Sequence, residues 1–88
     1  MRESLIRIHL KKKAAENNWL HRPLSWTNRR DAPDVFIAKE GQIFLVETKA
    51  PGKDARASQI QEHRKLQAHE VNVIILDTKE KIDAFFQR

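Results

Sequence analysis

Apolar residues near the start of the chain recur at steps of three and four, a spacing typical of an amphipathic helix. Between residues 3 and about 17 they form two neighbouring rows, Leu5, Ile8, Ala15 and Trp19 in one and Ile6, Leu10 and Ala14 in the other. Lys11, Lys12 and Lys13 fall on the other side. The pattern predicts a helix with one apolar and one basic face.

Apolar runs of strand length follow this helix. Residues 19–27 contain Pro23, which restricts that strand to a sheet edge or a bulge. Residues 35–38 and 43–46 flank a turn around Glu40-Gly41 and predict a β-hairpin. Residues 71–76 are rich in β-branched side chains and predict an internal strand.

Two further helices complete the predicted fold. One is capped by Asp54 or Ser58 and extends to about residue 70, and a short one begins at Thr78. Their apolar residues are Ile60, Leu66, Ile82, Phe85 and Phe86. A strand, a helix and a second strand form a right-handed parallel unit. We therefore expect an α/β fold of order α-β-β-β-α-β-α, with a mixed sheet flanked by helices.

Length and composition restrict the classes of protein. The 88 residues can enclose one modest core, so we expect a single domain over residues 1–88, stabilised by close packing or by self-association as a homodimer. Without cysteine there is neither a disulfide framework nor a thiolate for zinc, and the four histidines lack metal-ligand spacing. The first residues contain no signal-peptide core or membrane span. We expect a soluble, intracellular protein with no membrane partner.

The positive charge is concentrated at the start of the chain. The net charge is +5, and residues 1–30 contain eight Lys or Arg against two Glu. A one-sided positive field suits a polyanion, of which the phosphate backbone of nucleic acid is the commonest.

The predicted hairpin brings two carboxylates together. With a two-residue turn at Glu40-Gly41, position 39 faces position 42 and Asp34 faces Glu47. Side chains so placed have Cβ atoms about 4.5–5.5 Å apart, and two like charges there are destabilising unless a cation lies between them. The pair therefore predicts a metal site.

Lys49 points to the same face as Glu47, whereas Thr48 points to the other. Hard oxygen ligands suit Mg²⁺ or Mn²⁺, which activates water and neutralises charge at a phosphodiester. Lys49 would orient that water and, if the site lowers the pKa of its amine, accept the proton of the water. The alternative is an exposed strand end with Lys49 paired to Glu47.

Pro33-Asp34, a spacer of twelve residues, and Glu47-Thr48-Lys49 resemble the PD-(D/E)-x-K nuclease signature. Within that superfamily, the short chain, the early Glu3 and the downstream Gln59 are similar to the VRR-NUC (virus-type replication-repair nuclease) family. The resemblance spans residues 3–76 and implies a small restriction-endonuclease-like α/β domain. Asp31 stands where the family commonly has glycine.

The resemblance implies a role for each matching residue. The metal ligands would be Glu3, Asp34, Glu47 and the backbone carbonyl of Thr48, and the catalytic set would be Glu3, Asp34, Glu47, Lys49 and Gln59. Glu3 has the alternative of a helix-surface pair with Arg7. Gln61 competes with Gln59, which the spacing favours.

Five basic residues are the predicted DNA contacts: Lys11, Lys12, Arg29, Arg30 and Lys53. For Arg29 and Arg30 a solvated loop is an equal alternative. Trp19 and Trp26 are expected in the core or a dimer interface rather than stacked on bases. The segment 51–53 lacks the upstream glycine of a P-loop, so no nucleotide cofactor is expected.

Together these features predict a Mg²⁺- or Mn²⁺-dependent endodeoxyribonuclease. The resemblance implies a homodimer acting on branched DNA, with the four-way (Holliday) junction of DNA repair as the preferred substrate and a phage or virus as a plausible source. A two-fold dimer would cut both strands at related positions. The alternatives are a flap or single-strand nuclease of the same chemistry, and a DNA-binding module without turnover.

Overall fold

The computed structural model describes residues 2–87 and confirms the predicted class and order of elements. Met1 and Arg88, the ends of the predicted domain, lie outside the described residues. The elements are α1 (Glu3–Glu16), β1 (Leu20–Pro23), β2 (Val35–Lys39), β3 (Gln42–Thr48), α2 (Ala57–Ala68), β4 (Val73–Leu76) and α3 (Lys79–Phe86).

The four strands form one mixed sheet in the order β1-β2-β3-β4. β1, β2 and β3 pair antiparallel, and α2 connects β3 to the parallel β4. The hairpin turn is the predicted one, because Glu40 (φ 50°) and Gly41 (φ 84°) both adopt the positive φ of a type I′ turn. β1 is an edge strand, as predicted, but it ends at Pro23 and is shorter than the predicted segment 19–27. β4 is the other edge strand, so the prediction of an internal strand at residues 71–76 was wrong.

The main core lies between α1, α3 and one face of the sheet. Its buried residues are Ile6, Leu10, Val35, Ile37, Val46, Leu76 and Ile82. Beside them Trp19 packs against Phe44, Phe85 and Phe86, with ring centroids 5.5–5.9 Å from that of Trp19. The expectation that Trp19 serves packing rather than base stacking is therefore confirmed for this side chain.

Only one of the two predicted apolar rows of α1 is buried. Ile6, Leu10 and Ala14 are fully buried, whereas Leu5 is 46% and Ile8 63% exposed. The expectation of a broad apolar face was therefore wrong, because the sheet and α3 cover only the stripe at every fourth residue.

The second helix also departs from the prediction. It begins after Arg56, so neither Asp54 nor Ser58 is its N-cap. Its buried residues are Gln59 and His63, whereas Ile60 is 38% exposed. A polar inward face is unusual for a surface helix and indicates that it covers polar groups of the sheet.

No helix described within residues 2–87 is both long enough and apolar enough to cross a membrane.

The final helix should contribute much of the stability. Ile82 is fully buried between α3 and the sheet, and Thr78 caps this helix by accepting a hydrogen bond from the Lys81 N–H at 3.0 Å. We expect Ile82→Ala to lower the free energy of unfolding by about 2–5 kcal/mol, measured by urea denaturation, because it leaves a cavity. Ile43→Ala, at a 48% exposed position, is the control and should cost less than about 1.5 kcal/mol. Equal losses for the two variants would contradict this picture of the core.

Candidate active site

A short polar loop carries Asp34 to the end of the sheet, and hydrogen bonds hold it there. The indole N–H of Trp26 donates to the carbonyl of the fully buried Pro33 at 2.7 Å. The backbone carbonyl of Asp34 accepts from the Leu24 N–H at 2.9 Å, and the Asp34 N–H donates to the Val46 carbonyl at 3.0 Å. Trp26 is therefore a support of the site, a role that the sequence did not reveal.

Asp31, which replaces the family's common glycine, is accommodated without strain. It is not among the residues with positive φ, so its backbone conformation does not require glycine. Its Oδ1 accepts a hydrogen bond from Nη2 of Arg56 at 3.2 Å. The turn before Asp34 is thus connected to the start of α2.

The carboxylate of Asp34 binds Thr48. Oδ1 accepts from the Thr48 N–H at 2.9 Å, and Oδ2 accepts from the Thr48 hydroxyl at 2.6 Å. The predicted hairpin register holds as far as Val35 opposite Val46, but Asp34 precedes β2 and the ladder ends before the expected Asp34–Glu47 pair. That detail of the prediction was wrong, because the fully buried Thr48 hydroxyl needs an acceptor and Asp34 supplies it.

Glu47 is a buried carboxylate, and one of its oxygens lacks a hydrogen-bond donor among the described residues. Its side chain is 8% exposed, and its Oε1 is buried with no hydrogen-bond donor among the residues that the structure describes. Burial, and next the negative charge of Asp34, raise the pKa of Glu47 to about 7, while the positive charge of Lys49 opposes the shift. A bound cation would favour the ionised carboxylate and so offset the effects of burial and of the Asp34 charge on the pKa of Glu47.

His63 faces Glu47 from the second helix. Its Nε2 lies 3.5 Å from Glu47 Oε1, and both atoms are buried. Burial lowers the pKa of His63, so the imidazole is largely neutral at pH 7, and raises that of Glu47 to about 7, so the carboxyl is about half ionised there; the contact is therefore not an ion pair between two full charges. His63 is not among the predicted site residues, and its only signal in the sequence is the four-residue step from Gln59.

Arg7 connects the first helix to the site. One guanidinium nitrogen donates to Glu3 Oε2 at 2.9 Å and lies 3.7 Å from Asp34 Oδ2. Glu3 therefore makes the surface pair that was its alternative, while Arg7 brings it into the electrostatic field of Glu47. Within residues 2–87, no three His, Asp or Glu side chains are close enough to form a metal-binding group. Ligation by Glu3 remains a prediction.

Lys49 lies within the electrostatic reach of Glu47, and Gln59 lies in the first turn of α2. The Lys49 N–H donates to the Leu76 carbonyl at 3.2 Å, which fixes the end of β3 against β4. Gln59 is 4% exposed, and its Oε1 accepts from the Arg56 N–H at 2.9 Å, so it caps the helix that it opens. Gln61 is exposed. The choice of Gln59 as the inward glutamine agrees with this placement, but its catalytic role stays a prediction.

The predicted DNA contacts lie on separate surfaces. Lys11, Lys12, Arg29, Arg30 and Lys53 are all exposed. Lys11 lines a groove between α1 and β1 that Asp34 also lines. Arg29 and Arg30 line a second cavity, next to Asp31 and the polar side of α2.

The paired carboxylates Asp34 and Glu47 fit a small divalent cation. Mg²⁺ and Mn²⁺ use one or two carboxylates and keep several water ligands, so a larger protein cage is not required. Glu47 Oε1 is an acceptor without a donor, and each Asp34 oxygen has a second lone pair beyond its bond to Thr48. The donor set is that of a hard cation and contains no thiolate.

Comparisons with known proteins agree with this architecture. No family model matches the chain. The curated protein named "Putative nuclease p44", from Acyrthosiphon pisum secondary endosymbiont phage 1, is 33% identical over 81 residues that cover 91% of this chain and 87% of that protein. A solved structure described as a VRR_NUC domain matches with a TM-score of 0.87 at 24% identity, covering 98% of this chain and 95% of the other, and shows the same fold. The chain belongs to the family of the phage protein named "Putative nuclease p44" and has the fold of a VRR_NUC domain.

Proposed function

We propose that the protein is a Mg²⁺- or Mn²⁺-dependent endonuclease that hydrolyses phosphodiester bonds of DNA. The observation that carries the proposal is Glu47, a buried carboxylate with one oxygen lacking a donor, beside the negative charge of Asp34 and the positive charge of Lys49. A protein that only bound DNA would gain nothing from two acids at this position, since they repel phosphate. The phage relative named as a nuclease supports the same reading.

Each residue of the site has a distinct part in this proposal. Asp34 and Glu47 would hold the cation, with the Thr48 carbonyl and Glu3 as further ligands. The cation supplies Lewis-acid activation of water and charge neutralisation at the scissile phosphate. Lys49 Nζ would orient the attacking water and, as the neutral amine, take up its proton, and Gln59 would fix the start of α2.

The preferred substrate in this proposal is branched DNA, in particular the four-way junction. A chain of this size carries one such site, so paired cuts need two copies related by a two-fold axis. We therefore propose a homodimer. Lys12, Arg29, Arg30 and Lys53 would hold DNA phosphates around the site, and all four are exposed.

Removing either acid should abolish cleavage while the fold persists. We expect Asp34→Asn, Glu47→Gln and Lys49→Gln each to lower the rate of Mn²⁺-dependent cleavage of a plasmid by at least about 100-fold, because each removes an electrostatic or proton-transfer contribution. Glu40→Gln is the matched control, since Glu40 is an exposed acid at the opposite end of β3. Cleavage by Glu47→Gln at the rate of the Glu40→Gln control, with both proteins folded by circular dichroism, would refute the assignment.

Metal binding should depend on pH through Glu47. Its pKa of about 7 means that a cation must displace a proton below that pH. We expect the Mn²⁺ dissociation constant, measured by calorimetry, to tighten by up to about tenfold per pH unit up to pH about 7 and then to level off. Glu47→Gln should bind weakly with no such dependence. A wild-type affinity that does not change with pH would contradict the role of Glu47.

The same group should also affect the stability of the metal-free protein. The pKa of Glu47 in the folded protein lies above the ordinary value of 4.5. Protonated Glu47 therefore contributes its full stabilisation below pH 4.5, and this contribution is lost as the pH rises through about 7. At about 1.4 kcal/mol per pKa unit, the loss is about 3 kcal/mol. Glu47→Gln should therefore be more stable than wild type at pH about 8 in urea denaturation, whereas Glu40→Gln should follow the wild-type pH profile.

A panel of DNA substrates tests the finer proposal. We expect four-way junctions to be cut in paired positions faster than flaps, linear duplex or single strands of the same sequence, and sedimentation to report a dimer. If flaps or single strands are cut faster than junctions, the proposed substrate is wrong, but the proposed metal-dependent hydrolysis remains. Retention of DNA without metal-dependent cleavage of any substrate would instead favour a binding module.

A further inference from the structure

A groove of about 580 Å³ lies between α1 and β1 and reaches Asp34. The α1 side presents Arg7, Ile8 and Lys11, and the β1 side presents His21, Arg22 and Pro23. Asp34 belongs both to this groove and to the candidate active site. A ligand that fills the groove would therefore extend directly to the residues proposed to cut it.

The groove carries positive charge that the protein itself does not neutralise. Within residues 2–87, neither Lys11 nor Arg22 forms an ion pair with a carboxylate, although Lys13, Arg56 and Lys81 each do. Arg22 donates one hydrogen bond to the His21 carbonyl at 2.8 Å, which holds its guanidinium against β1. Both positive charges act on His21, which also lines the groove. Burial lowers the pKa of His21 most, and the charges of Lys11 and Arg22 lower it further.

We propose that this groove binds the sugar-phosphate backbone of the DNA strand next to the bond that is cut, with Lys11 and Arg22 contacting its phosphates. The inference rests on the proposed nuclease function and adds the path of the strand. Lysine and arginine side chains without protein partners are the usual contacts to backbone phosphates. Arg7 remains with Glu3 and Asp34 and is not needed as a phosphate contact.

The apolar part of the groove is compatible with this occupant. Ile8 is 63% exposed and lines the groove together with Pro23. Deoxyribose and bases present apolar surface that can contact such a floor, while the phosphates remain at the charged rim.

A second copy of the chain fits the groove less well than DNA. In a two-fold dimer built on this groove, both subunits bring the same basic surface to the interface, so Lys11 and Arg22 would face the positive charges of the other copy. Like charges facing each other at an interface are unfavourable, and Asp34 is the only acid that lines the groove along the described part of the chain. The charge pattern is complementary to a polyanion and not to itself.

The salt dependence of DNA binding tests the groove separately from cleavage. The variant is Lys11→Gln/Arg22→Gln, and its matched control is Arg64→Gln/Lys79→Gln, which removes the same charge at exposed positions on α2 and at the start of α3. Binding of a fluorescent four-way junction and of linear duplex is measured by anisotropy in Ca²⁺, between about 50 and about 200 mM NaCl. The slope of log K against log[NaCl] should decrease in magnitude by about 1.8 for the groove variant, since each phosphate contact contributes about 0.9, and by less than about 0.5 for the control.

A charge-conserving variant completes the design. Lys11→Arg/Arg22→Lys should keep the wild-type slope, because the positive charges remain. Equal slopes for wild type and the groove variant, or equal losses in the groove variant and the control, would overturn the proposal. A change of sedimentation mass in the groove variant with an unchanged salt slope would also overturn it, in favour of contact between two copies.

Cleavage assays on the same proteins distinguish the two proposals. If wild type binds DNA with the expected slope difference but cuts no substrate in Mg²⁺ or Mn²⁺, the nuclease function fails and the groove remains a DNA site. If wild type cuts DNA and the groove variant binds like wild type, the path of the strand is wrong and the nuclease function remains.

Discussion

Two acidic side chains at the ends of neighbouring strands repel each other, and the surrounding structure keeps them together. Glu47 is nearly buried and lies within the electrostatic reach of Asp34, which raises its pKa to about 7. Such a group destabilises the folded chain whenever it is ionised. A small protein can retain it only if the rest of the fold is stable, or if a cation compensates the charge.

The architecture around this pair supplies that support. The hairpin of β2 and β3 fixes the strand ends, Thr48 binds both oxygens of Asp34, and Trp26 holds the loop before it through the Pro33 carbonyl. The aromatic rings of Trp19 and its neighbours pack against the core that α1 and α3 form with the sheet. Glu47 points away from the main core, because its neighbour Val46 points into it and successive side chains of a strand alternate between faces, whereas Asp34 reaches Thr48 and Arg7 on the α1 side.

The polar inward side of α2 follows from this orientation of Glu47. Gln59 and His63 are buried where an ordinary surface helix would place apolar residues, and His63 faces Glu47 across 3.5 Å. An apolar α2 would leave Glu47 in a medium too poor in polar groups for a carboxylate that has to ionise. The basic groove along α1 reaches Asp34, and a second cavity lined by Arg29 and Arg30 lies beside the polar side of α2.

Much of the fold of this protein could be predicted from the sequence alone, because the signals that define its elements are local in the chain. Hydrophobic periodicity and turn chemistry are set by residues close together in the chain, so the order of elements, the Glu40-Gly41 turn and the hairpin register to Val35 and Val46 all emerged. The PD and E-x-K segments lie at the ends of that hairpin, which is why Asp34, Glu47 and Lys49 could be named as candidates. What only the tertiary structure decided are contacts between distant segments: which row of α1 is covered, the inward turn of His63, and the use of Asp34 by Thr48. These depend on which surfaces meet in space, and no pattern along a single segment contains that information.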